Sequence, residues 1–228
     1  MLGHSILPFE KRHRSPDRYG GDELPDERGP SGPPLLYFPA MTWLSEIRDK
    51  LADRTLQGVA PSADHKRAGV LVPLFVKEKE LWLLFTKRSD KLLNHRGQVS
   101  FPGGAFETGD RDLKDTAVRE TEEELGLERK QIVLIGKLSP IITSTSYYVE
   151  PYVGAIPYPV ELKPSPDEIE ALWEIPISAL MTPTAVEERS FEGSDRPVLF
   201  YHYGQKTIWG ATARILSELL DVLAGEAS

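Results

Sequence analysis

The chain has 228 residues, 35 acidic against 27 basic side chains, a formal net charge of -8 and no cysteine. That length suffices to bury one sizeable core, so a single domain with appendages is expected. The acid excess argues against a protein that grips a nucleic-acid backbone through a basic face, and the missing thiols exclude disulfides, thiolate catalysis and cysteine-based zinc sites.

Residues 1–40 read as a flexible tail. The first 34 residues hold six prolines and five glycines, mix both charge signs and show little apolar periodicity. Such a stretch buries too little apolar surface to offset its ordering entropy. It has neither the apolar stretch of a signal peptide nor the acid-poor composition of a mitochondrial leader, so a cytoplasmic protein is expected. The folded domain is set at 41–228. Leu44, Ile47 and Leu51 fall at helical spacing and predict a helix over 42–53. Gly69 to Val76, the longest apolar run, is far short of the ~20 residues a membrane helix needs and reads as a buried strand. Pro73 within it demands a sheet edge or a bulge. Leu81 to Phe85 gives a second strand, joined to the first by a short charged turn as a hairpin. Helical spacing returns over 112–125, and further strands are expected at 132–138, 149–156 and 198–203. A last helix over 207–223 lines one side with Ile208, Ala211, Ile215, Leu219 and Val222. Helices interleaved with hairpin-like strands give an α/β class with a mixed sheet.

The informative stretch is Gly103-Gly104-Ala105-Phe106-Glu107-Thr108-Gly109-Asp110 and the helix after it. Leu113, Ala117 and Leu125 can face a core, while Glu120, Glu123 and Glu124 stand at i, i+3 and i+4 and share one face. Gly126 suits the left-handed position that ends a helix. Three like charges near a helix C-terminus repel one another and oppose the helix dipole. A divalent cation turns that repulsion into coordination, and hard carboxylate oxygens suit Mg2+ or Mn2+ rather than zinc.

In this order, the double glycine, Arg119-Glu120, Glu123-Glu124 and Gly126-Leu127 resemble the Nudix box. Asp110 stands at its first acidic position, one residue farther from Arg119 than the family pattern, and Thr121 stands where an aliphatic residue is usual. In the family the first acid braces the arginine against the loop, a role open here to Asp110 or Glu107. Upstream, Leu83-Leu84-Phe85-Thr86-Lys87-Arg88-Ser89 and His95-Arg96-Gly97-Gln98-Val99-Ser100-Phe101-Pro102-Gly103-Gly104 resemble the extra signature of the coenzyme A (CoA) pyrophosphatase branch. That branch shares the longer box, and Ile208 to Arg214 resembles its C-terminal helix.

The resemblance implies an α/β/α Nudix fold with a mixed sheet. It implies a Mg2+- or Mn2+-dependent hydrolase that splits the pyrophosphate bond of CoA or acyl-CoA into 3′,5′-ADP and (acyl-)4′-phosphopantetheine. It places the cation on Glu120, Glu123, Glu124 and the Gly104 carbonyl. Glu120 and Glu123 are the candidate proton acceptors, with Glu168 as a candidate outside the box, and Arg119 joins the catalytic set as the brace beside them. The 3′-phosphate of CoA calls for a cation, for which Arg88 and Arg96 are candidates; Gly97, Gln98 and Gly103 are candidate contacts to the substrate. Tyr147 and Tyr148 either stack on the base or pack in the core. One alternative is a hydrolase of another nucleoside diphosphate derivative such as ADP-ribose. Another is a non-catalytic Nudix module that senses a ligand, although such modules tend to lose the box carboxylates, which are intact here. The expected partner is a small molecule, with no nucleic acid and no membrane, and a homodimer is left open.

Overall fold

The computed structural model describes residues 42–58, 60–90, 97–191 and 197–226. The tail expected over 1–40, together with His95 and Arg96, lies outside them. Two strands set the frame. β1 (Lys66–Lys77) and β2 (Glu80–Arg88) pair antiparallel from Leu74↔Leu83 to Lys77↔Glu80. The charged pair Glu78-Lys79 turns between them with both φ angles positive, 54° and 65°, as a type I′ hairpin requires.

Beyond Leu74 the two strands splay, and a segment wedges between them. β3 (Val99–Ser100) continues along β2, with Thr86 opposite Ser100 and Lys87 opposite Val99. β4 (Gly103–Ala105) returns antiparallel along β1, with Val70 opposite Gly103 and Ala68 opposite Ala105. Pro73 sits at this fork, which corrects the expectation of an edge or a bulge. β1 is a central strand, flanked on its other side by the parallel β7 (Tyr147–Ala155), with Pro73 opposite Gly154. Two residues earlier, the Leu71 N–H donates to the Pro102 carbonyl at 2.9 Å. Pro73 faces the same way, at the point where β1 has left β4 and has not yet met β2. Its missing N–H therefore breaks no ladder bond.

β5 (Val133–Lys137) and β6 (Ile141–Ile142) pair with β7, and β8 (Ile169–Pro176) runs along the other edge of β2. Among the described residues only the β1–β7 pairing is parallel, so the sheet is mixed. β9 (Val186–Arg189), β10 (Val198–Tyr203) and β11 (Lys206–Trp209) form a separate three-stranded sheet.

Among the helices, α1 (Thr42–Ala52) buries Leu44, Ile47 and Leu51, as their spacing requires. α2 (Leu113–Leu125) is capped by Asp112, whose side chain accepts the Asp115 N–H at 2.7 Å, and ends at Gly126 with φ 66°. α3 (Ile177–Leu180) is a single turn. α4 (Gly210–Ala224) starts at Gly210 and not at Thr207, because Gly204, with φ 58°, turns the chain from β10 back into β11. Ile208 is consequently buried from a strand and Ala211 is exposed; the buried stripe runs through Ala213, Ile215, Leu216, Leu219, Leu220 and Val222.

Alternation along the strands separates two cores. Val72, Leu74, Leu83 and Phe85 join residues of α1 and α4 in the larger. Phe75 and Leu84 meet Leu125 and Leu127, at the end of α2, in the smaller. Helices thus cover both faces of the sheet, the α/β/α arrangement of the sequence reading. Tyr148 is buried and donates to Glu150, while Tyr147 packs against the larger core. Among the described residues no helix is long and apolar enough to cross a membrane.

Candidate active site

α2 lies on β1 because Gly69 leaves room for it: a Cβ there would stand 2.0 Å from the Leu113 carbonyl oxygen. The helix thereby brings its acids to the β4 side of the fork. At Gly104 a Cβ would come within 2.4 Å of the Glu120 carboxyl, so only glycine lets that group rest against the strand. Next to it, the Gly103 N–H donates to Glu124 Oε2 at 3.3 Å. Arg88, at the end of β2, brings Nη1 to 3.8 Å from Glu124 Oε1. Its backbone N–H donates to the Gln98 carbonyl at 2.9 Å, which sets Gly97 and Gln98 along the same strand end. The Arg88 Nε is buried and has no hydrogen-bond partner among the described residues.

Arg119 organises the other side. Its Nε and Nη2 donate to the two oxygens of Asp110 at 2.8 and 3.0 Å, and Nη2 also reaches the Ala105 carbonyl at 3.2 Å. Nη1 lies 3.0 Å from Glu120 Oε1 and 2.9 Å from Glu123 Oε2. The Asp110 carboxylate further accepts the Glu107 N–H and the Thr116 hydroxyl. Asp110 is therefore the brace, and Glu107 contributes only its backbone. Thr121, polar where the family is aliphatic, is fully buried and donates to the Ala117 carbonyl of its own helix at 2.7 Å.

Burial makes the carboxylates unequal. Glu124 is 3 % exposed, and loss of solvent pushes its carboxyl up to about 8. The Gly103 N–H and Arg88 pull it back, while the charges of Glu120 and Glu168 add to the rise. Glu120 is also raised, first by burial, against the pull of Arg119. Asp110 goes the other way: hydrogen bonds from Arg119 hold its carboxyl well below the usual range despite its burial. The Glu123 side chain is 60 % exposed and turned to Arg119. The fork thus gathers Arg88, Gln98, Gly103, Gly104, Glu120 and Glu124, with Glu123 at its solvent side. Among the described residues no three acidic or histidine side chains already surround one point as a metal-binding group. The donor chemistry nevertheless fits a divalent cation: Glu124 is buried with one long N–H contact and an arginine outside hydrogen-bond reach, and Glu120 is pressed beside it.

Glu168 is the candidate outside the box. It closes the turn before β8, where the Ser89 N–H donates to its carbonyl at 2.7 Å, and the Ser165 N–H of the same turn donates to the Glu124 carbonyl at 2.9 Å. Its charge is felt by both Glu120 and Glu124. Nothing local in Pro166-Asp167-Glu168 signals this, because the turn is stapled to elements far away in the chain.

Residues 65–198 match the NUDIX domain model. The chain is 37% identical over 160 residues to the "Uncharacterized Nudix hydrolase NudL" of Photorhabdus laumondii, covering 69% of this chain and 85% of that one. It is 36% identical to the protein of the same name from Yersinia pestis, over 69% of this chain and 80% of that one. A solved structure of a MutT/nudix family protein from Enterococcus faecalis matches with a TM-score of 0.49 and 15% identity, over 82% of this chain and 76% of that one. The chain belongs to the Nudix family.

Proposed function

We propose that this Nudix hydrolase cuts the pyrophosphate bond of CoA or acyl-CoA, giving 3′,5′-ADP and (acyl-)4′-phosphopantetheine, with Mg2+ or Mn2+ as cofactor and the cytoplasm as its site of action. The observation that carries the reading is the contact between two motifs. Arg88, from the stretches that resemble the CoA signature and bonded through its backbone N–H to Gln98 of the same signature, lies 3.8 Å from Glu124 of the box.

Glu120, Glu123, Glu124 and the Gly104 carbonyl would hold the cation, which when bound neutralises the diphosphate and orients a water. The chain's own residues do the rest. Arg88 offers a positive charge to a phosphate oxygen beside Glu124. Arg119, locked by Asp110, keeps Glu120 and Glu123 in place. Both glutamates are paired with Arg119 and are assigned to the cation. Among the described residues no ion pair engages Glu168, so this side chain takes the proton of the attacking water in our reading.

The test is turnover of CoA, acetyl-CoA, dephospho-CoA and ADP-ribose with Mg2+ or Mn2+, products resolved by mass. CoA yielding 3′,5′-ADP and 4′-phosphopantetheine supports the reading. A wide preference for ADP-ribose overturns the substrate and leaves the hydrolase. Glu168→Gln should lower kcat by at least ~100-fold at unchanged Tm; a near-normal rate returns the base to Glu120 or Glu123.

A further inference from the structure

β3 is only two residues long, yet it joins the two halves of the fork. Before it, the Gln98 carbonyl holds the backbone N–H of Arg88. After it, Phe101-Pro102 leads to Gly103 and Gly104, against which Glu124 and Glu120 rest. So short a strand gains little from its own ladder, and its place has to be set by its neighbours.

Three successive carbonyls do this. That of Gln98 accepts the Arg88 N–H at 2.9 Å, and that of Ser100 accepts the Thr86 hydroxyl at 3.1 Å, both donors lying on β2. The carbonyl between them, that of Val99, points away from β2 by the alternation of an antiparallel pair. On that side β4 belongs to β1, and the donor comes from α4: the Thr212 hydroxyl, at 3.1 Å and 113 residues along the chain. Thr212 is 8 % exposed and stands in the first turn of α4. Trp209, at the N-cap of that helix, makes no side-chain hydrogen bond, and the hydroxyl of the first turn is turned to β3. Packing alone would be met by valine, which fills the same space with no buried polar atom to satisfy.

We propose that Thr212 is a positioning residue for the hydrolytic reaction: its hydroxyl fixes β3 from outside the fork, and through β3 it sets the places of Arg88 and Gly103. The fork tolerates little movement. The Gly103 N–H reaches Glu124 only at 3.3 Å, at the long end for such a bond, and the Glu120 carboxyl already fills the space beside Gly104. A slide of β3 therefore disturbs both carboxylates and the nearby guanidinium of Arg88. The inference rests on the fork as the hydrolytic site and not on CoA as the substrate.

Thr212→Val keeps the shape and removes the donor, while Thr212→Ser keeps the donor. Leu219→Ala, a fully buried change two turns farther along α4, controls for lost stability. Saturating turnover of CoA and of ADP-ribose with Mg2+, together with Tm, is measured for the full-length wild type and the three variants. On whichever compound the wild type cuts, kcat should fall about tenfold or more in Thr212→Val and return to within about twofold of the wild type in Thr212→Ser. Leu219→Ala should lose more Tm than Thr212→Val and keep its kcat within about twofold. Thr212→Val turning over like the wild type overturns the proposal. So does Thr212→Ser as slow as Thr212→Val, and so does an equal loss of kcat in Leu219→Ala, which would make the effect one of stability. A wild type that cuts ADP-ribose and not CoA removes the proposed substrate and leaves this comparison standing.

Discussion

A carboxylate buried as deeply as Glu124 persists only where a compensating charge is supplied. Glu124→Gln keeps an acceptor for the Gly103 N–H and removes the charge. Turnover should fall by roughly two orders of magnitude or more. In chelator the variant should melt no lower than the wild type, and the rise in Tm that Mg2+ or Mn2+ gives the wild type should be lost. Activity near the wild-type level would sink the cation role. Arg88 lies 3.8 Å from the same carboxylate, and in the proposed reading it meets the diphosphate. Arg88→Ala should therefore reduce kcat/KM on CoA and dephospho-CoA alike; a loss confined to CoA would restore the 3′-phosphate role. Spacing alone put Glu120, Glu123 and Glu124 on one helix face. It could not divide them, because the division depends on burial in the fork and on Arg119, which is aimed by an aspartate in the preceding loop.

Among the elements, the β1–β2 hairpin carries a local conflict. Glu78 and Lys79 both hold left-handed φ angles that asparagine and glycine adopt more easily. The double change Glu78→Asn, Lys79→Gly should stabilise the protein by about 1 kcal/mol and raise Tm by about 2–4 °C, measured by thermal unfolding. An unchanged or lower Tm would mean the exposed pair contributes contacts that outweigh its strain. The hairpin and α2 were legible because their signals are local: apolar runs joined by a short charged turn, helical spacing, a terminal glycine. β8 was not. Its middle is half exposed, its charged Glu170 and Glu174 interrupt the apolar pattern, and its partner β2 lies far away in the chain. The start of α4 was misread because Ile208 keeps helical register with Ile215 while belonging to a strand.

Across the whole molecule, acid stability should follow the Asp110 latch that ties the loop to α2. The folded Asp110 carboxyl lies below its unfolded value of ~4. Its contribution is therefore full above that pH and is lost as pH falls through and below it. Asp115, held low by Arg111 and Arg129, acts in the same direction. Urea midpoints at pH 7, 5 and 3 should show the wild type losing more stability between pH 5 and 3 than Asp110→Asn, which is weaker at neutral pH. Parallel loss in the two proteins would remove the latch from the account.

The sequence by itself determined the helix that carries the acids, its terminal glycine, the hairpin and the family, because each is written in residues close together in the chain. Only the tertiary structure decided which glutamate is buried, which acid holds Arg119, how Pro73 is tolerated in a central strand and where Glu168 stands. Those outcomes depend on the splaying of β1 from β2 and on what fills the fork. The excess of acid read at the outset is part of that result. Burial beside Gly103 and Gly104 turns two ordinary surface-type residues, Glu120 and Glu124, into groups whose charge the fold itself opposes.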